Sequence, residues 1–224
     1  MNREEFSSII SATLPFFDRL EAEDRKALLS SAVSARFSKG ETVHDGSHCT
    51  GVILLRSGSL RVYMLSEEGK EITLYRLFAG EVCILSASCA LERITFDVFI
   101  DAEEDTEAVV IGGCAFAEVA ERVPEAKIFA LESALTSFSD VMWVFEQILF
   151  MSMDRRLAIF LCDEAAKGDG TLIRLTHEQI AKYMGSAREV VTRMLKYFSN
   201  EGIVESVRGG VRILDKKRLR ALAH

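Results

Sequence analysis

The stretch from Leu175 to Leu214, LTHEQIAKYMGSAREVVTRMLKYFSNEGIVESVRGGVRIL, constrains the fold of this chain more than any other. Thr176 followed three residues later by Gln179 is the pattern of a capping box at a helix start. Ile180, Ala181 and Met184 then form a short apolar face, and Gly185 stops that helix. Ser186 reads as the cap of a second helix over about Ala187 to Ser199. Its apolar residues Val190, Val191, Met194, Leu195 and Phe198 recur at helical spacing. Arg188, Glu189, Thr192, Arg193 and Lys196 are left for the opposite face. Glu201-Gly202 ends the helix, and two short strands, 203–206 and 211–214, follow around Arg208-Gly209-Gly210. Two short helices with a tight Gly turn and a following hairpin make a winged helix-turn-helix, whose second helix enters a major groove.

The side chains on that helix suit DNA. An Arg guanidinium bonds guanine O6 and N7 together, and a Glu carboxylate accepts from cytosine N4. Both act from the N-terminal part of an inserted helix, where Arg188, Glu189 and Arg193 fall. The expected DNA-contacting set is therefore Arg188, Glu189, Thr192, Arg193 and Lys196, with Thr176, Ser186 and Arg208 around them. The competing reading is a solvated helix face on which Glu189 pairs with Arg193 four residues on.

The same residues carry a family likeness. GSAREVVTRMLKYFSNEGIV, with its R-E-x-V-x-R core, resembles the recognition helix of the Crp/Fnr family of bacterial transcription regulators. The resemblance implies that Arg188, Glu189 and Arg193 read bases. An Arg at 188 looks like the Crp branch, which prefers TGTGA-like half-sites, rather than the Fnr branch.

Charge supports a division of labour. The net charge of −7 looks wrong for a DNA binder until the chain is divided. Residues 153–224 hold 14 Lys+Arg against 9 Asp+Glu, a surplus of five, so the rest carries −12. A basic effector domain joined to an acidic regulatory one fits that asymmetry. The 224 residues suffice for two small domains, and with 49% apolar residues and two prolines the chain is globular. No 18-residue run of uncharged apolar residues and no leader peptide is seen, so no membrane role is expected. Five cysteines without framework spacing fit a reducing cytoplasm.

In chain order, residues 4–35 read as helical, with Leu14-Pro15-Phe16-Phe17 as a break and a second helix over 21–34 that carries Leu28, Leu29 and Val33. From Arg36 the period becomes two. Turns at Lys39-Gly40-Glu41, His44-Asp45-Gly46, Ser57-Gly58, Glu68-Gly69-Lys70 and Ala79-Gly80-Glu81 separate strand-like segments, which indicates an antiparallel sandwich or barrel. The segments KGETVHDG, GVILLRSGSLRVY, GKEITLYRLFAGE and EAVVI resemble the β-roll of a cyclic-nucleotide-binding-type sensor, with its glycines at Gly40, Gly46, Gly58 and Gly80. In nucleotide-binding members an Arg and a small hydroxyl residue hold the cyclic phosphate. Here those positions fall at Phe96 and Asp97, though Arg93 and Thr95 are close. Asp97 and Asp101 would repel a phosphate, with Glu103, Glu104 and Asp105 adding to the field if they face inward. Cyclic AMP is therefore disfavoured, the cofactor is unknown, and a small effector is expected near Gly80, Glu81, Cys83, Ser86, Cys89, Arg93 and Thr95.

The cysteines read mainly as core packing, with thiol redox sensing or an iron–sulfur or haem centre as alternatives. Residues 1–48 hold no Cys and no C-x2-C occurs, unlike Fnr-type cluster sensors. His44, His48 and Cys49 are near one another, but the His44-Asp45-Gly46 turn accounts for them, and no metal site is expected.

Between the two domains, residues 124–151 contain no Gly, and Ile128, Leu131, Leu135, Phe138, Met142, Phe145 and Leu149 keep 3-4 spacing. That is the seam of a parallel dimer helix, or else a helix packed on its own core. Trp143, Val144 and Ile148 widen the apolar face toward the β-roll. Met151-Ser152-Met153-Asp154 reads as a hinge, 155–166 as a helix, 171–175 as a strand, and Lys216–Arg220 as a basic run.

The expected fold is α+β: a β-roll effector domain over 1–123, a dimerisation helix over 124–151, and a winged helix-turn-helix over 152–224. The expected function is a cytoplasmic homodimeric transcription regulator reading a palindromic operator under an effector or redox signal, with RNA polymerase as a partner. A thiol enzyme would need a nucleophile with a base, and only His44 and His48 remain for that role. A protein-binding winged helix is the third reading.

Overall fold

The structure is a computed structural model that describes residues 3–87, 97–167 and 170–224. Cys89, Arg93, Thr95, Phe96 and Gly168-Asp169 lie outside them. The chain divides into two compact units, residues 1–64 with 74–141, and residues 65–73 with 142–224.

In the first unit, α1 (Arg3–Thr13) stops before Pro15, and α2 (Ala22–Ser31) follows. The helix expected to reach 34 ends at Ser31, because Ala32–Phe37 is strand β1. Ala32 pairs with Ile111 and Phe37 with Thr106, a ladder between segments far apart in sequence. Val33, expected on an apolar helix face, is accordingly exposed.

Strands β2 (Thr42–His44), β3 (Val52–Ser57), β4 (Ser59–Leu65), β5 (Glu71–Phe78), β6 (Val82–Cys83), β7 (Phe99–Ala102) and β8 (Thr106–Ile111) complete two four-stranded sheets. One runs β1-β8-β3-β6 and the other β2-β7-β4-β5. The five expected turns are present. Gly58 shows why one of them must be glycine: its φ is +84°, and a Cβ would fall 2.3 Å from Thr106 Oγ1. Val52–Leu55 of β3 is buried on both faces, and β4 buries Leu60 and Val62. Core side chains of both sheets meet Phe17, Leu28 and Phe116 in one cluster.

Helix α3 (Gly113–Arg122), which the sequence pattern did not single out, adds Phe116 and Val119 to that core. Four of the five acidic residues suspected of facing a ligand, Asp97 apart, make polar contacts within the β-roll. Arg61 lies 3.3 Å from Asp101 and 4.1 Å from the Tyr63 ring centre. Arg76 pairs with Glu103, Ser59 Oγ donates to Glu104 at 3.0 Å, and Asp105 accepts from Lys39 N–H at 2.9 Å.

Helix α4 (Pro124–Phe150) begins on a proline, which a first turn tolerates, and the boundary between the units falls within it. Ala126 and Ala130 are buried, while the opposite stripe is exposed, 66% at Leu135 and 59% at Phe138. Trp143 and Ile148 are exposed as well, not packed as expected. By length and composition α4 could cross a bilayer. It also carries Glu132, Asp140 and Glu146, and its exposed apolar residues form a stripe that suits a partner helix.

The second unit contains α5 (Met153–Lys167), β9 (Leu172–Ile173), α6 (His177–Met184), α7 (Arg188–Asn200), β10 (Val204–Val207), β11 (Gly210–Ile213) and α8 (Lys216–Ala223). Leu157, Leu161, Ile180, Val191, Leu195, Phe198, Val211 and Leu219 form its core. Burying each such side chain is worth roughly 1.5–3 kcal/mol. Its turn 65–73 is held by Glu71, 3.0 Å from Lys182 Nζ. The basic run at 216–220 is helical, capped by Asp215, which accepts from Lys217 and Arg218 N–H.

Candidate nucleic-acid interface

Local chemistry positions α6 and α7. Thr176 Oγ1 accepts from Gln179 N–H at 3.2 Å, and Gln179 Oε1 accepts from Thr176 N–H at 2.8 Å, so the capping box is complete. Gly185 adopts φ 58°, a left-handed conformation that glycine takes without Cβ strain. Ser186 N–H then donates to Ala181 O at 2.9 Å, five residues back.

That closure corrects the expected role of Ser186. It closes the end of α6 instead of capping α7, whose N-cap is Ala187 without a side-chain bond. Ser186 Oγ contacts Met153 Sδ at 3.8 Å, and the residue is half-buried. The other seven expected residues, Thr176, Arg188, Glu189, Thr192, Arg193, Lys196 and Arg208, are all exposed.

Val191, Leu195 and Phe198 turn inward, which fixes the rotation of α7 and leaves Arg188, Glu189, Thr192, Arg193 and Lys196 on the other side. Among the described residues, no ion pair engages Arg188, Glu189, Arg193 or Lys196, and the Glu189–Arg193 pair of the solvated-face reading is not formed. Thr192 Oγ1 lies 3.1 Å from His177 Nδ1. Arg208 sits at the tip of the β10–β11 wing, where Gly209 has φ 78°. By contrast, Arg212 pairs with Glu205 across the wing, and Arg218 with the Glu201 carboxylate and carbonyl at the end of α7. Two of the basic residues flanking this head are thus occupied in holding it together.

Sequence reasoning missed Arg156. Its guanidinium donates to Met184 O at the end of α6, and burial lowers its pKa. No motif signals such a contact, because it depends on where α5 packs.

The expected effector residues divide in the structure. Ser86 is fully buried, its Oγ 2.7 Å from Gly51 O, while its own carbonyl accepts from Thr50 and Gly51 N–H. Cys83 is buried, and burial raises its thiol pKa, which makes it packing rather than a reactive ligand. Gly80 and exposed Glu81 form the turn, with Glu81 accepting from Phe78 N–H. Tyr75, which the sequence gave no reason to name, lies beside Ser137 of α4. Burial above all raises its phenol pKa. Core packing does not account for all the cysteines, since Cys114 is exposed and Cys49 is exposed and disulfide-bonded.

A capped two-helix unit with a buried inner face, a free charged outer face and a basic wing tip defines a winged-helix DNA-binding regulator. Comparison with known proteins sharpens the class. Residues 155–222 match the Crp-like helix-turn-helix domain, and residues 35–123 the cyclic nucleotide-binding domain. A solved structure from Eubacterium rectale, assigned to the Crp/Fnr family of transcriptional regulators, is 42% identical, with a TM-score of 0.90 over 93% of this chain and 97% of that one. The cyclic AMP receptor protein of Thermus thermophilus is 24% identical over 93% of this chain and 96% of its own length. The transcriptional activator protein FnrA of Stutzerimonas stutzeri is 27% identical over 83% and 78%. The chain belongs to the Crp/Fnr family, and is a DNA-binding transcription regulator rather than an enzyme.

Proposed function

We propose that this regulator acts as a homodimer in the cytoplasm, with α7 of each copy in the major groove of a two-fold-symmetric operator. The division would be an effector domain at 1–123, a dimer helix at 124–151 and a reading head at 152–224. Arg188, Glu189 and Arg193 read base edges, while Thr176, Ser186, Thr192, Lys196 and Arg208 supply polar contacts around them. The single observation that carries this reading is the outer face of α7, charged, exposed and without an ion pair among the described residues, on a helix whose inner face buries Val191, Leu195 and Phe198 in the core.

The exposed stripe Ile128, Leu131, Leu135, Phe138, Met142, Phe145 and Leu149 supports a parallel helix pair. Such a pair would set two reading heads about one DNA turn, ~34 Å, apart. A signal in the β-roll acts by favouring one of two dimer arrangements, which requires different affinity for the two. RNA polymerase is the natural partner of the DNA-bound form, and the effector is a small molecule of unknown identity, with cyclic AMP disfavoured. The test is duplex binding by the Arg188→Ala and Glu189→Ala variants. Base readers predict a loss of ~1–3 kcal/mol each with relaxed specificity at one base pair. Unchanged binding would overturn the assignment.

A further inference from the structure

The unit that holds the helix-turn-helix includes a segment from far earlier in the chain. Residues 65–73, the tip of the β4–β5 hairpin, belong to the same compact unit as α6 and α7. The tip is closed on itself: Ser66 N–H donates to Lys70 O at 2.9 Å, Gly69 N–H to Ser66 O at 2.9 Å, and Lys70 N–H to Ser66 Oγ at 3.0 Å. The next three residues all reach the end of α6. Glu71, its side chain mostly buried, pairs with Lys182 Nζ at 3.0 Å. Thr73 is buried and donates through Oγ1 to Lys182 O at 3.5 Å. Between them Ile72 lies against Gly185, where a Cβ would fall 3.0 Å from Ile72 Cγ1.

The end of α6 needs such support. The helix has eight residues, fewer than the ~12–15 at which a lone helix becomes even marginally stable, and its last carbonyls have no partner within the helix. Ser186 N–H closes on Ala181 O, and Arg156 of α5 donates to Met184 O. Lys182 O takes Gly185 N–H at 3.3 Å together with the Thr73 hydroxyl. The Gly185 turn sets the angle between α6 and α7, so that angle is held by α5 through Arg156 and by the hairpin tip through Glu71, Ile72 and Thr73. These contacts leave Arg188, Glu189 and Arg193 exposed. The tip therefore fixes the reading face without covering it.

We propose that Glu71, Ile72 and Thr73 are positioning residues for DNA reading, a clasp that keeps the Gly185 turn in the geometry with which α7 meets its groove. The inference rests on the proposed reading that α7 reads DNA. Charge alone predicts the opposite sign for Glu71. Removing a carboxylate from a chain of net charge −7 favours a polyanionic partner, whereas loss of the clasp weakens binding.

The test uses the full chain and a fluorescent duplex that the wild type selects from a randomised library. Glu71→Gln, and Ile72→Ala as a variant that changes no charge, should each weaken binding roughly fivefold. The salt dependence, the base preference at each position and the fraction of chains active at saturating duplex should stay at their wild-type values. Glu71→Gln combined with Lys182→Met should bind no more weakly than Lys182→Met alone, because both break the same pair. Unchanged or tighter binding by Glu71→Gln, or unchanged binding by Ile72→Ala, would overturn the clasp. So would a loss confined to the active fraction, which marks a destabilised head and not a misplaced one. A wild type that selects no duplex would sink the DNA-reading assignment, and the clasp's role with it. A wild type that selects one, matched by both variants, would sink the clasp alone.

Discussion

Thr192 Oγ1 lies 3.1 Å from His177 Nδ1, joining the first residue of α6 to the outer face of α7. The contact fixes how the two helices cross at the end where α7 presents Arg188 and Glu189. Thr192→Val keeps the side chain's volume and removes the bond. It should lower stability to urea by about 1 kcal/mol and weaken operator binding without changing which sequence is preferred.

The capping box at Thr176 makes a second prediction. Thr176→Ala removes the acceptor for Gln179 N–H and should cost about 1 kcal/mol of unfolding free energy. Thr176→Ser should restore most of it, measured by denaturant midpoint at constant slope.

On α4, Leu135 is 66% exposed at the centre of the apolar stripe. Leu135→Glu would bury a charge without a partner in any helix pair, costing about 3 kcal/mol or more of association free energy. Sedimentation velocity should then show a monomer, and operator affinity should fall with it. A variant that stays dimeric would place the dimer contact elsewhere.

His44 gives a pH dependence with a definite sign. Burial is the main cause that lowers its pKa from 6.5, against the opposing charges of Asp45 and Asp97. Its Nδ1 lies 2.8 Å from Thr50 Oγ1. A depressed histidine binds fewer protons folded than unfolded, so its contribution is present above the unfolded value of 6.5 and is lost as pH falls through the lower folded value. Thermal unfolding should shift downward as pH falls below 6.5, and His44→Gln should flatten that part of the profile.

The reading head was legible because its signals are local. Thr176 and Gln179 are three residues apart, Gly185 closes the turn, and Val191, Leu195 and Phe198 repeat within one helix. The glycine turns of the β-roll were legible for the same reason. The end of α2 was not, because β1 exists through pairing with β8 at Ile111, far along the chain. Ser186 misled because a serine after a stop glycine fits both a new cap and the closure of the old helix. Only the backbone bond to Ala181 O decides between them. Arg156 was invisible for a similar reason: its bond to Met184 O depends on where α5 packs.

The most direct measurement is selection of duplexes from a randomised library by the full chain, repeated with the combined Arg188→Ala, Glu189→Ala and Arg193→Ala variant. The account predicts an inverted repeat whose half-site centres lie about 10 base pairs apart, enriched by the wild type and lost with the triple variant. Enrichment of a single unrepeated site, or of the same repeat by both proteins, would contradict a dimer that reads DNA through α7.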